Sequence, residues 1–539
     1  MTRRAAFAVV ALVAFTPVLS AAPRPRGGND LLPLCGLKQS KIASNLCDYR
    51  YRISTTSPEC QAFFDQGLGY YYSYVWMEAA RSFETALEFD SNCPMAWWGL
   101  YRAFAGWGKP DLATKALLKA NEIKERASYR EQQLIWASMQ EMGQAPSVGD
   151  ADARKKKAIE TIDALLAQYD DDEEAWYFRA QLAGGAGGFG GQLSAVPFYK
   201  ALLRINPLHP GANHELVHFY ENHHRPALGW PYAEKYIESS PGIPHAFHMQ
   251  AHLGTRIGKW NKTSNYSARA IELEKAYHQF MDVKPSEDHQ YSHHLDTLLT
   301  SLTHDGRFAE GRAIIQDQRD LGSQNNATSF RLYYAARDYD EALKIAEQVR
   351  RKDKVTGSYY SALVYLKQDD AARALPEIEV MRQSFANGVK DRQESRMWEV
   401  QGLYLCQTGA ADQGLKLLEK ASTRSKDDYG HHAWGNGSYL MEQWGIGGLL
   451  SHHDKDAEEA YLEALAHDPG SVRAALGLQV LCERQNRQEE AERYAELARK
   501  CWARADSEKL QEELDALRGG HAGTTKTEGV SGNPADGQR

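Results

Sequence analysis

The sequence lacks several short patterns that mark common classes of functional site. None of its seven cysteines falls in a CxxC pair, which argues against a thioredoxin-like motif or a cysteine-based zinc site. No GxSxG pattern is present, so nothing indicates the nucleophile elbow of a serine hydrolase. Acidic residues outnumber basic ones, 71 to 63, and the net charge is −8. We therefore expect no nucleic-acid partner.

Long apolar runs are also scarce. One covers residues 5–19, after Arg3 and Arg4, and small residues follow at positions 20–22. A short basic region, an apolar core of this length and small residues form the pattern of a secretory signal peptide. The run is short for a membrane span. We therefore expect residues 1–22 to be cleaved and the protein to be periplasmic or secreted, with no membrane span after cleavage; an uncleaved anchor is the alternative.

Export changes how the cysteines are interpreted. Four of them, Cys35, Cys47, Cys60 and Cys93, lie near the expected mature N-terminus, and the other three lie far downstream. In an oxidising compartment the first four can form two disulfides, whose pairing the sequence leaves open. The odd total leaves at least one thiol unpaired, or paired between chains.

A helical repeat of 34 residues organises most of the chain. The 539 residues are too many for a single core and suit several domains or a repeat array. Residues suited to close helix crossing recur at this period: Ala79, Phe83 and Ala86, then Ala113, Leu117 and Ala120. A 34-residue period is typical of two antiparallel helices stacked on the next two.

The repeat phase divides the chain into segments. We expect a signal peptide (1–22), an irregular cysteine-containing lead-in (23–58), N-terminal repeats (59–182), a glycine-rich loop (183–197), histidine-rich central repeats (198–320), C-terminal repeats with a capping helix (321–518) and a disordered tail (519–539). The glycine-rich loop contains GxGxxG, but a dinucleotide site requires that pattern within a βαβ unit. Helical patterns flank this loop on both sides, so we interpret it as a flexible loop that can act as a lid.

Two histidine pairs share the repeat phase. His214 with His218, and His248 with His252, are each spaced i, i+4, which places both imidazoles on one face of a helix. Each member of the first pair lies 34 residues before its counterpart in the second. Equivalent positions in adjacent repeats face the same way, so we expect the four rings to form a patch. Such i, i+4 pairs can chelate one metal ion.

These residues resemble the tetratricopeptide repeat superfamily over roughly residues 60–499. More narrowly, HPGANHELVH at 209–218, HAFHMQAH at 245–252 and FFDQGLGYYYSYVWMEAARSF at 63–83 are similar to an exported subgroup with a histidine-rich central pair of repeats. The resemblance implies an all-α fold, a right-handed superhelical solenoid of helical hairpins. It implies no settled reaction.

The resemblance also enlarges the candidate site. In that superfamily the first helix of each hairpin lines the concave groove, and this register adds His245, His293 and Asp296 to the four histidines. Asp296 stands where the exported subgroup usually has a second histidine, and aspartate remains a competent ligand for zinc or iron. Since the set contains no thiolate, we favour zinc, copper or iron. Glu221, three residues after His218, is the candidate general base.

Two functions are left open by the sequence. The first is an exported protein that binds a peptide or protein partner in its concave groove, with histidines lining that groove around a metal site. Repeat solenoids are mostly binding proteins, which favours this function. The second is a metal-dependent enzyme, hydrolytic or oxidative, with the metal in the groove. Histidines packed between repeats as a satisfied polar core are the structural alternative to a metal site.

Overall fold

The computed structural model describes residues 32–146, 149–185, 192–386, 393–426 and 437–519. Within these ranges every regular element is a helix, and successive helices pack in pairs along the chain. The protein is therefore an all-α helical-repeat solenoid, which confirms the predicted fold class.

The helices follow one another with short connections. The first twelve are α1 (Pro58–Tyr71), α2 (Trp76–Phe89), α3 (Pro94–Gly106), α4 (Pro110–Glu122), α5 (Tyr129–Glu141), α6 (Ala151–Leu166), α7 (Glu173–Ala180), α8 (Val196–Ile205), α9 (Pro210–Asn222), α10 (Pro226–Ser239), α11 (Pro244–Arg256) and α12 (Trp260–Met281). The remainder are α13 (Tyr291–His304), α14 (Phe308–Asp320), α15 (Asn326–Ala335), α16 (Tyr339–Arg350), α17 (Lys354–Lys367), α18 (Ala371–Ala386), α19 (Glu394–Gln407), α20 (Ala411–Lys426), α21 (Tyr439–Leu450), α22 (Asp454–His467), α23 (Val472–Arg484), α24 (Gln488–Cys501) and α25 (Lys509–Leu517).

Glycine sets how closely the helices of the first repeats approach. Gly67 on α1 and Gly99 on α3 both face the ring of Phe83 on α2, and a Cβ at either position would lie 2.6 Å from Phe83 Cε1. Any larger residue would force these helices apart, since interiors are close-packed. The same arrangement recurs around Tyr461 in the C-terminal repeats. The 34-residue spacing therefore marks the positions at which neighbouring helices pack closely.

The buried apolar residues form two large hydrophobic cores, and the change from one to the other falls near the histidine-rich segment of the chain. Members of the first core run from Leu46 to Leu253, and members of the second from Leu299 to Leu514. A small separate cluster around Leu295 lies between them in the chain. The histidine-bearing helix α11 contacts both α9 and α13, so polar rings occupy space between these helices that apolar side chains fill elsewhere.

The C-terminal repeats fold back onto the central helices. Trp260 Nε1, at the start of α12, donates to Asp468 Oδ2 at 3.0 Å. Trp502 Nε1, just after α24, donates to the backbone oxygen of His304 at 2.7 Å. These contacts join residues about 200 positions apart, and no repeat period predicts them.

Several predicted segments fall outside the described residues, wholly or in part: the signal peptide (1–22), the start of the lead-in (23–31), the glycine-rich loop between 186 and 191, short stretches of the repeats (147–148, 387–392 and 427–436) and the tail from 520 to 539. Cleavage, loop closure and disorder there stay predictions. Among the described helices, none has both the length and the apolar character needed to cross a bilayer.

Candidate metal centre

Three helices supply the histidines. α9 carries His214 and His218, α11 carries His245, His248 and His252, and α13 carries His293 and His294. Each of α9 and α11 begins with a proline in its first turn, where a missing backbone N–H costs nothing. Because the i, i+4 spacing puts both members of a histidine pair on one face of their helix, both rings point toward the neighbouring helices.

The structure divides the predicted histidines into two groups of three. Triad A is His214, His218 and His245, and triad B is His248, His252 and His293. Within each triad, one ring nitrogen from every residue lies within 4.8 Å of the other two. Six of the seven predicted metal ligands are thus brought together, but in two sets. A protein zinc ion needs three or four such ligands.

Triad A has the geometry of a chelating site. His214 Nδ1 lies 2.6 Å from the backbone oxygen of Tyr72. A carbonyl only accepts, so Nδ1 carries the proton and Nε2 keeps its lone pair. His245 Nε2 lies 3.1 Å from that nitrogen. Two nitrogens bound to one tetrahedral zinc at about 2.0–2.1 Å lie roughly 3.3 Å apart, so this pair is already spaced as two ligands would be.

A tyrosine encloses triad A. The ring of Tyr74 stacks on His218 with an interplanar angle of 10° and a centroid distance of 5.7 Å. Its hydroxyl donates to Glu215 Oε1 at 2.8 Å, and Tyr177 donates to the same oxygen at 3.0 Å. Tyr74 has a φ of +57°, a left-handed conformation that is uncommon for a bulky residue. Such strain persists where surrounding contacts fix it, and it clusters at functional sites.

Triad B is tightly packed but reaches the surface. The His248 ring lies 4.3 Å from His252 and 4.7 Å from His293, centroid to centroid. His248 is buried, His252 is half-buried and His293 is exposed. The triad therefore has one side through which an ion or a small molecule can enter.

Glu221 links the two triads. Its Oε1 accepts from His252 Nδ1 of triad B at 3.1 Å and from Arg256 at 3.0 Å. Its Oε2 lies 3.7 Å from His218 Nδ1 of triad A. A carboxylate that holds Nδ1–H of a histidine fixes the ring so that Nε2 can bind metal. The contacts thus describe a residue that orients His252 of triad B through a hydrogen bond and lies close to His218 of triad A.

The protonation of Glu221 bears on its predicted role. Burial by itself raises its pKa, but the electrostatic interaction with His252, the hydrogen bond from that ring and the nearby His218 outweigh burial and hold the pKa well below its usual range. A carboxylate with a low pKa is a weak proton acceptor at neutral pH. This favours the positioning role over that of a general base.

Asp296, the seventh predicted ligand, lies in neither triad. Its carboxylate accepts hydrogen bonds from Gln318 at 3.0 Å, Asn325 at 2.5 Å and Thr328 at 2.8 Å. These donors belong to α14 and to the start of α15. Asp296 therefore ties α13 to the following hairpin, and its oxygens face amide and hydroxyl donors instead of imidazoles.

His294 is the site residue that sequence reasoning missed. It is 1% exposed, and its ring centroid lies 4.0 Å from that of His248. Its Nδ1 lies 2.7 Å from Glu274 Oε1 on α12. Counted back from the turn at Gly306, His293 occupies the position of His245, whereas His294 occupies that of Ala246, so the histidine pattern gave no signal for it.

The electrostatics leave the most deeply buried histidines neutral. Burial, reinforced by neighbouring imidazoles, holds the pKa of His214, His245 and His248 well below its usual range. Burial also lowers the pKa of His294 to about 3. At neutral pH these rings therefore offer a lone pair, which is the form that binds metal.

Unsatisfied nitrogens also fit a metal. Nδ1 of His245 and Nδ1 of His248 are buried and have no hydrogen-bond partner among the described residues. Buried polar atoms are nearly always paired, so each such atom requires an explanation. A metal ion bound to Nδ1 would give this nitrogen a partner. A water bound to Nδ1 would do the same if the ring held the ion through Nε2. The donor set therefore suits a transition metal.

Comparison with known proteins bears on the repeats. Residues 328–389, from α15 to the end of α18, match the family described as Tetratricopeptide repeat. This supports the tetratricopeptide superfamily. No curated protein matches the chain. Similar solved structures are the human IFIT1 dimer with m7Gppp-AAAA (13% identity, 84% of this chain, 91% of that chain, TM-score 0.28) and the P58(IPK) TPR domain (11%, 82%, 99%, 0.23). At these TM-scores neither likeness bears on what this chain binds.

Proposed function

We propose that this chain is an exported tetratricopeptide interaction protein with a transition-metal centre built from triads A and B. The repeats support a scaffold for protein partners, because repeat solenoids present extended surfaces for binding. The metal centre is supported by one observation above the rest: two sets of three histidines, each with ring nitrogens within 4.8 Å of one another. Export is supported only by the apolar run at residues 5–19.

The ligand set restricts which metal ions the site can bind. Both triads offer imidazole nitrogen and no thiolate. Imidazole suits zinc, copper and iron, while calcium and magnesium prefer oxygen ligands. Each triad offers three ligands of its own, so the proposed centre holds two ions, with Glu221 positioning His252 of triad B and lying near His218 of triad A. The proposal also includes a peptide or protein partner, which binds in the concave groove.

A second function, a metal-dependent hydrolase or oxidase, is favoured by the ligand count. A metal held by three histidines keeps a position for water or substrate, which is the arrangement of catalytic sites, whereas structural zinc has four protein ligands. The exposed His293 places triad B where a substrate can reach it. The two proposed functions use the same metal centre. They differ in whether a substrate or a protein partner occupies its open side.

Metal analysis of the purified chain tests the centre. We expect close to two equivalents of zinc or copper after reconstitution and dialysis. His214→Ala with His218→Ala should remove one equivalent, and His248→Ala with His252→Ala should remove the other. His453→Ala, on the loop before α22, is the matched control and should keep both. Less than 0.2 equivalents in the wild type, or equal content in all variants, would contradict the proposal.

A further assay separates the two functions. If the protein is a binder, partner binding should be retained when one triad is removed and the fold is intact. If it is an enzyme, the loaded protein should hydrolyse or oxidise a test substrate, and activity should disappear with triad B. Ester hydrolysis with zinc and phenol oxidation with copper are the direct screens.

A further inference from the structure

The C-terminal repeats carry a groove that is open to solvent, here called the C-terminal groove. Residues of α15, α17, α19, α21 and α23 line it, and the last helix of the chain, α25, lines its remaining side. Three of the residues that the repeats contribute are arginines: Arg331, Arg337 and Arg473. Because guanidinium groups stay protonated in proteins, these residues give the groove a fixed positive charge.

The repeats and α25 bring opposite charge to this groove. The basic residues that the repeats contribute outnumber the acidic ones by four to two: Arg331, Arg337, Lys367 and Arg473 against Asp369 and Glu442. Burial lowers the pKa of Lys367 well below its usual range, so the arginines supply most of the positive charge. Within α25 the acidic groove residues outnumber the basic ones by three to one: Glu512, Glu513 and Asp515 against Lys509.

An apolar face holds α25 on the repeats. Leu514 is buried as a member of the second hydrophobic core, and Leu510 and Leu517 pack against that core. The three leucines follow an i, i+4, i+7 spacing, which places them on one helix face. α25 packs with this face against the repeats and contacts α23. An amphipathic helix seated in a groove is one of the recurrent ways in which proteins bind a partner segment.

Glu513 is the polar anchor of α25. Its Oε2 accepts from Arg337 at 2.8 Å, and its Oε1 accepts from Arg473 at 2.9 Å. Its side chain is 5% exposed. A buried carboxylate held by arginines contributes little net stability, but it selects for charge and geometry. The repeats therefore form a carboxylate site, and a helix of the same chain fills it.

One groove arginine is left without a carboxylate by α25. Among the described residues, Arg331 forms no ion pair or hydrogen bond, and its guanidinium lies over the ring of Tyr439, 4.7 Å from the centroid. Arg331 is half-buried. A helix with one more carboxylate than α25 brings to the arginines would therefore gain an interaction that α25 does not make.

α25 is short and lies near the end of the described chain. It spans nine residues, and a helix of this length is marginal without tertiary contacts. The residue before it, Glu508, is exposed and has a φ of +68°. Just upstream the chain is fixed, since the N–H of Asp506 donates to the backbone oxygen of Gly306 at 2.9 Å. α25 can therefore leave the groove by a local opening, which costs less free energy than global unfolding.

We propose that the C-terminal groove binds an acidic amphipathic helix of a partner protein, and that α25 occupies the groove in its place in the free chain. The partner presents a carboxylate to Arg337 and Arg473 and apolar side chains to the second core, as α25 does. A further carboxylate engages Arg331. This inference rests on the proposed function, because it names the chemistry of the protein partner; the metal centre does not enter it.

A peptide with the sequence of residues 507–519, SEKLQEELDALRG, is the probe for this site. It is labelled with fluorescein and titrated with the full chain, and anisotropy measures binding. Glu513→Gln in the full chain loosens α25 and keeps both arginines. The peptide should therefore bind this variant about tenfold more tightly than it binds the wild type, the worth of one charge-assisted hydrogen bond. A purely structural role for Glu513 predicts no such gain.

Three comparisons show whether the gain comes from the arginines. Adding Arg473→Gln to the Glu513→Gln chain should remove it, and the same peptide carrying Glu513→Gln should not show it. Leu514→Ala in the full chain loosens α25 without changing charge and should also tighten binding of the unchanged peptide. Glu489→Gln, at a side chain 93% exposed on α24, is the matched control and should bind the peptide like the wild type. Circular dichroism confirms that each variant is folded.

The proposal is overturned if Glu513→Gln and Leu514→Ala bind the peptide no more tightly than the wild type, or if the gain survives Arg473→Gln. A wild-type dimer that the peptide dissociates would show that α25 exchanges between copies of the chain, and would also overturn it. If a basic peptide of equal length binds and the acidic one does not, this inference fails while the proposed binding of a protein partner stands.

Discussion

Replacement of Glu221 by glutamine probes how one carboxylate serves two metal sites. Glutamine keeps the size of the side chain and removes its charge. The carboxylate accepts from His252 at 3.1 Å, and it lies 3.7 Å from His218. The first distance is a hydrogen bond and the second is beyond one. The two triads should therefore respond unequally.

The magnitude follows from these contacts. Loss of an outer partner of a metal-binding histidine typically lowers affinity 10- to 100-fold, about 1.4–2.8 kcal/mol at triad B. At triad A we expect a change of less than roughly threefold, because only a longer-range interaction is lost. Glu221 also forms a buried ion pair with Arg256, at 5% and 8% exposure. Weakening this ion pair should lower the free energy of unfolding by up to about 3–5 kcal/mol.

Chelator-competition titration with zinc measures the two affinities. Each is isolated in a background where the other triad has been removed by the paired alanine changes. Urea unfolding of the metal-free protein reports the stability cost separately. Glu234→Gln, on the solvent-facing side of α10 where Glu234 accepts from Trp230, is the charge-matched control. Equal losses at both triads, or no loss at triad B in a folded variant, would refute the reasoning.

Two other predictions concern groups away from the metal centre. Burial raises the pKa of Asp468 to about 7, so the folded state binds its proton more tightly than the unfolded state. Stability is lost as pH rises between about 4 and 7, and Asp468→Asn should gain roughly 1.4 kcal/mol per pH unit over the wild type in that window, measured by urea unfolding at each pH. A constant difference would contradict the buried carboxyl. Separately, the sulfurs of Cys60 and Cys93 lie within 4.8 Å, while Cys35 contacts Glu84 and Cys47 contacts Ser240. With oxidised glutathione as acceptor of the two electrons and two protons, one disulfide should form, reactive thiols should fall from seven to five, and stability should rise by about 3–4 kcal/mol. Three remaining thiols, or seven, would contradict this pairing.

Much of the fold could be predicted because it is local. The recurrence of small and aromatic residues every 34 positions reports which helix faces cross, and Gly67 and Phe83 meet as that phase requires. The i, i+4 histidine pairs likewise share a face because helix geometry fixes it. Their grouping into a metal centre depended on a further assumption, that successive repeats keep one register.

That assumption held from α9 to α11 and again at α13. Although α12 runs 22 residues, counting back from the turn at Gly306 places His293 at the position of His245 and Asp296 at that of His248. His293 joins triad B, Asp296 turns to Gln318, Asn325 and Thr328, and His294 packs on His248. A repeat register predicts which positions face the neighbouring hairpin, but the residues of that hairpin decide what each side chain there contacts.

The sequence alone determined the helical-hairpin repeat and the helix faces on which histidines stand, because both depend on residues three to 34 positions apart. Only the tertiary structure decided that His245 joins α9 instead of its own helix neighbours, that Glu221 lies between two sets of rings, and that His294 packs on His248. Those contacts depend on the rotation and separation of packed helices. These are set by side chains throughout both cores, and no local pattern records them.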